Sequence, residues 1–71
     1  METTIDIRDV VVGDHIFILG SMATVTCVEP LYDHNTIRRG YGIHIDGRNE
    51  PFIFKLGTPV LVQREKENNN G

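Results

Sequence analysis

The chain is short of the features that would name a reaction. Of its 71 residues one is cysteine, none is tryptophan and three are proline. Cys27 alone cannot close an internal disulfide, and its place inside a β-type run predicts a buried small hydrophobe rather than a reactive thiol. A lone thiol also points to a reducing, cytoplasmic setting. No apolar run approaches the ~20 residues that span a bilayer. Residues 1–6 are acidic and lack the basic segment and apolar stretch of a secretory signal. Helical periodicity and internal repeats are both missing. His15, His34 and His44 have no histidine or cysteine at ligand spacing, so neither a metal centre nor a cofactor is expected. Asp14 and His15, adjacent in an extended segment, point to opposite faces and make no simple acid–base pair. With no catalytic motif left, the chain is expected not to be an enzyme.

What the sequence does contain is β-type patterning. Residues 5–7 alternate as a short first strand with Ile5 and Ile7 inward. Val10-Val11-Val12-Gly13-Asp14 reads as a turn in which Gly13 takes a positive φ and Asp14 caps. His15 to Leu19 is a second strand, Gly20-Ser21 closes a hairpin, and a third strand runs from Met22 to Glu29, where Pro30 ends it for want of a ladder donor. Val25 and Val28 can both face the core only if a bulge near Thr26 and Cys27 adds a residue between them. Residues 31–39 read as a polar connection. Tyr41, Ile43 and Ile45 then share one face, Asp46-Gly47 makes a hairpin, and residues 52–55 and 60–63 supply the last strands.

Strands this short, with a turn signal about every ten residues, predict an all-β fold: a small SH3-like barrel or a strongly bent antiparallel sheet of five to six strands. Residues 1–63 form the single domain. Residues 64–71, charged and then asparagine-rich, form a flexible polar tail with nothing to bury. The expected core is Ile5, Ile7, Val10, Val12, Ile16, Ile18, Val25, Val28, Tyr41, Ile43, Ile45, Phe52, Phe54, Val60 and Val62.

A domain this small buries only roughly 60% of its unfolded surface, which favours pairing with itself or a partner. Alternation supplies a candidate surface. If Ile16 and Ile18 point inward, Phe17 and Leu19 point outward, and the same rule sends Ile53 and Leu61 out. Four outward apolar residues suggest a protein interface or a homo-oligomer; the alternative is that they are scattered, or covered by Met22, Leu31 and the long connection. A second candidate is nucleic acid. Arg38, Arg39, Tyr41 and Arg48, with His34 and His44 nearby, lie in the one region with a local excess of positive charge, and guanidinium groups pair with phosphates while an aromatic ring stacks a base. Against it stand the formal net charge of −3 and the shortness of the cluster, which suits a solvated loop equally well.

Val12-Gly13-Asp14-His15-Ile16, Thr24-Val25, Val28-Glu29, Ile43-His44-Ile45-Asp46-Gly47, Phe54 and Gly57-Thr58-Pro59-Val60-Leu61-Val62 together resemble small SH3-like barrel proteins of actinobacteria and their phages. The likeness covers residues 5–63 and implies the barrel fold. Many of those proteins have no assigned activity; it is the outward apolar face and the absence of catalytic chemistry that point to a noncatalytic binding module, for a phage-encoded chain an accessory protein acting on a host component in the host cytoplasm. The opening is similar to the KOW-type strand and loop as well, but Met22-Ala23-Thr24 stands where that motif carries glycines and basic residues.

Overall fold

A computed structural model of the chain describes residues 2–33 and 37–64. Six antiparallel strands form one sheet: β1 (Glu2–Asp6), β2 (His15–Ile18), β3 (Ser21–Asp33), β4 (Ile37–Ile45), β5 (Phe52–Lys55) and β6 (Pro59–Gln63). Their spatial order is β1-β6-β2-β3-β4-β5, and a 3-10 turn over Ile7–Asp9 follows β1. The sheet bends until β4 packs against that turn, so the fold is the all-β, strongly bent sheet that the turn spacing predicts.

The bend belongs to β3. Its first residues pair with β2, from His15↔Thr24 to Ile18↔Ser21, and from Val25 onward it pairs with β4. At the change of partner the register shifts between Val25 and Cys27, leaving Thr26 unopposed. This is the bulge that the valine spacing requires, and it returns Val28 to the inner face. The extra residue also inverts the side-chain parity that follows, so Cys27 is exposed rather than buried.

Pro30 does not end β3. Beyond Thr24 the strand pairs on its β4 side alone, and a residue without an N–H is tolerated where one edge carries no ladder. The strand continues to Asp33, and β4 starts at Ile37. Residues 31–33 and 37–39 of the expected polar connection therefore belong to paired strands, and residues 34–36 lie outside the described residues. A second register shift there leaves Arg39 unopposed between the Leu31↔Gly40 and Tyr32↔Arg38 pairs. His34 lies outside the described residues.

Ile7, Val10, Ile16, Val25, Ile43, Val60 and Val62 are buried together, with Ile5, Ile18, Val28, Tyr41, Ile45 and Phe54 packed against them. Each large apolar side chain so placed contributes roughly 1.5–3 kcal/mol. Ile7 reaches this core from the 3-10 turn rather than from the first strand, its N–H donating to the Thr58 carbonyl while Asp6 accepts from the Arg8 N–H. Two expected members fall outside. Val12 is 61% exposed, because it sits in the turn that the Asp14 N–H closes onto the Val11 carbonyl and not in a paired strand. Phe52 is half-buried under Arg48, whose guanidinium carbon lies 4.3 Å from the ring centroid. Gly13 has the positive φ expected of it, +99°.

The β2–β3 hairpin closes through Leu19-Gly20, with φ of +53° and +84°. Two positive φ values are the pattern of a type I′ turn, whose first position favours asparagine or aspartate. A leucine held there costs roughly 1–2 kcal/mol of backbone strain. Burial returns nothing for it, since Leu19 is 79% exposed.

Candidate functional site

The strand faces decide where the expected docking residues go. β2 and β6 pair as His15↔Gln63 and Ile16↔Val62, with Ile16 and Val62 buried. One step along that register brings Phe17 and Leu61 into the same row of the outward face. On the other side of β2, Phe17 pairs with Met22. Phe17 is 48% exposed, Met22 is exposed and Leu61 half-buried, so the three form an apolar strip across β6, β2 and β3, with Leu19 at the turn beyond. Met22 was not among the expected site residues, although the hairpin itself reveals it: Phe17 and Met22 are symmetric about Leu19-Gly20.

Ile53 does not join this strip. It sits on β5 opposite Gly42, 62% exposed. On the outward face between the two patches lie polar residues: Thr24, hydrogen-bonded to His15 (Oγ1 to Nδ1, 3.0 Å), and His44, whose Nε2 is 3.1 Å from Glu29 Oε1. Cys27 pairs with His44 in the same row.

The basic and aromatic residues of the long hairpin come together only in part. Arg38 donates from Nη1 to the Tyr41 hydroxyl (2.6 Å) and from Nη2 to the Tyr32 hydroxyl (3.0 Å). Its guanidinium carbon lies 5.0 and 5.4 Å from the Tyr32 and Tyr41 ring centroids, within cation–π range. Arg48 covers Phe52 and donates to the Glu50 carbonyl, Arg39 lies at the bulge, and His44 bonds Glu29 on the opposite face. Tyr32 carries no sequence signal as a site residue, because a strand that ends at Pro30 gives it no face, whereas β3 runs on to Asp33.

A third feature surrounds Asp14. Its Oδ2 accepts from the Val11 N–H (3.0 Å), the expected turn role. Arg64 then reaches back from the end of β6, donating from Nε to Oδ1 (3.0 Å) and from Nη2 to Oδ2 (2.8 Å), with a further bond from Nη2 to the Asp9 carbonyl (3.2 Å). Arg64, assigned from sequence to the tail, thus makes a long-range clamp on a carboxylate that is only 7% exposed. The Arg64 hydrogen bonds hold the Asp14 pKa below its ordinary value, against the opposing effect of burial. With both oxygens engaged and the carboxyl held ionised, Asp14 is poorly suited to proton transfer at neutral pH. Gly13, His15 and Gln63 line a hollow of about 270 Å³ beside the pair. Among the described residues no group of three or more His, Cys, Asp or Glu side chains is placed to hold a metal ion, and no helix is long and apolar enough to cross a membrane.

No family model matches the chain, and neither a curated protein nor a solved structure does.

Proposed function

We propose that this protein is a noncatalytic docking module that binds a partner protein, or a second copy of itself, through the outward face of the β2–β3 hairpin. One observation carries the reading: Leu19 occupies a left-handed backbone position and is 79% exposed, so it is unfavourable for the isolated fold twice over. Residues kept in such positions gather at binding and switch sites, and Leu19 adjoins the strip of Phe17, Met22 and Leu61. The setting we propose is that of an accessory factor acting on a host component in the cytoplasm, in line with the pattern likeness to SH3-like barrel proteins of actinobacteria and their phages.

The substitution Leu19→Asn separates stability from docking. It is expected to raise the unfolding free energy by ~1 kcal/mol, by relieving the turn, while weakening association in sedimentation equilibrium. Phe17→Asp is expected to abolish association. A wild-type chain that stays monomeric at high concentration and retains no partner overturns the reading.

The stack of Arg38 with Tyr32 and Tyr41 supports a second reading, single-stranded nucleic acid bound by base stacking on the half-exposed Tyr32 ring together with Arg39 and Arg48. It is the weaker one, because both terminal nitrogens of Arg38 are already committed to tyrosine hydroxyls. Fluorescence anisotropy with single-stranded oligonucleotides in low salt decides it: binding lost in Tyr32→Ala supports it, and no signal excludes it.

A further inference from the structure

The long hairpin and β5 enclose an open groove of about 340 Å³ on the side of the molecule where Ile53 emerges, away from the β2–β3 hairpin turn. Its floor is Gly40, which pairs with Leu31 on β3 and Lys55 on β5. No side chain can stand at position 40, since a Cβ there would lie 2.0 Å from the Phe54 carbonyl oxygen. Leu31 and Ile53 supply apolar walls, and Arg39 and Lys55 also line the groove. Among the described residues neither cation has a carboxylate partner, in contrast to Arg8 and Arg64. The bulge is what delivers Arg39: as the unopposed residue of β4 it follows Arg38, whose side chain is held by the tyrosines, and precedes the glycine floor.

We propose that this groove is a second docking site, separate from the hairpin, and that its occupant is an acidic peptide segment of a partner protein, anchored by one apolar side chain. Three features select that chemistry. The volume lies at the low end of the range for pockets that enclose small molecules, and the groove is open, which suits one anchoring side chain of a longer segment. The walls offer Leu31 and Ile53 to an aliphatic or aromatic anchor. Arg39 and Lys55, without a carboxylate partner among the described residues, complement carboxylates beside that anchor, and complementary charge at a rim sets specificity and encounter rate more than affinity. In a chain that is acidic overall, Arg39 and Lys55 put positive charge at the groove itself, beside the apolar walls.

The test is a selection from a displayed library of random dodecapeptides against the full-length chain. The strongest consensus peptide is then synthesised with its acidic residues intact or replaced by their amides. The expected result is enrichment of peptides pairing Asp or Glu with Leu or Phe. Amide shifts should be confined to Gly40, Ile53, Lys55 and their neighbours. Affinity should fall about tenfold or more in Arg39→Glu/Lys55→Glu, consistent with the cost of opposed like charges, and in the amide analogue. The spectrum of the double variant checks that it is folded, and Ile53→Asp gives an independent block of the apolar wall. The absence of enriched clones, binding indifferent to the double variant and to Ile53→Asp, or a footprint on Phe17 and Met22 overturns the proposal. The last of these outcomes leaves the hairpin reading standing, and self-association lost in Phe17→Asp with peptide binding retained shows the two sites to be independent.

Discussion

Replacing Gly40 with alanine is expected to lower the unfolding free energy by about 3 kcal/mol, the upper end of what overpacking costs. The added methyl carbon would lie 2.0 Å from the Phe54 carbonyl oxygen and 3.0 Å from the Lys55 Cα. Both are main-chain atoms of β5, so no rotamer change relieves the clash and β5 must move away from β4. Phe54 moves with it, and Phe54 packs on the buried core. A domain of this size has a total stability of roughly 4–10 kcal/mol, so the loss is a large share of the whole. Gly42→Ala is the internal control, because a Cβ there meets only side-chain atoms at 3.5 Å or more, ordinary van der Waals distance. Urea unfolding followed by circular dichroism should place the two variants far apart, and equal midpoints would refute a close β4–β5 approach at Gly40.

Asp14→Ala is expected to cost about 2–3 kcal/mol. It removes hydrogen bonds between charged groups, each class of which contributes roughly 1.5–3 kcal/mol, and it leaves the Val11 N–H without its acceptor. Arg64→Ala should cost less, about 1 kcal/mol, since the arginine is 43% exposed and its charge is partly screened by water. The pair also has a pH signature. The Asp14 pKa is lowered in the folded chain from an ordinary value of 3.8. Its contribution is therefore complete above the unfolded-state value and is lost as pH falls through the lower folded one. Wild-type stability should decline more steeply than that of Arg64→Ala below about pH 4, and the gap between them should close with acid. A gap that stays constant from neutral pH to the acid limb would mean that Arg64 acts on stability by some route other than the Asp14 charge.

How much of this could be read from the residues depends on the range of the interaction. The Thr26 bulge was legible, because two valines three apart within one strand leave no other way to bury both. The exposure of Cys27 follows from the same bulge, which inverts the parity of the residues after Thr26. Pro30 misled for a physical reason: a missing donor ends a strand only where a neighbour needs that donor, and the sequence does not say which edge is open. Val12 shows the complementary error, an apolar residue in a turn whose backbone closes on itself. Parity correctly sent Phe17, Leu61 and Ile53 outward, yet it cannot tell where on a bent sheet they emerge, and Ile53 stands apart from the other two. Arg64 left no local signal at all, since its partner lies fifty residues away.

The sharing of β3 between β2 and β4 has one more consequence. A sheet made of two separate hairpins would have a seam along which it could part, each piece keeping its own ladder. Here one uninterrupted backbone crosses the place where that seam would fall, and the 10–14 turn is tied to it there through Gly13, Asp14 and Val25. Opening either half drags on the other, so a chain with few buried side chains gains all-or-none behaviour from the continuity of a single strand.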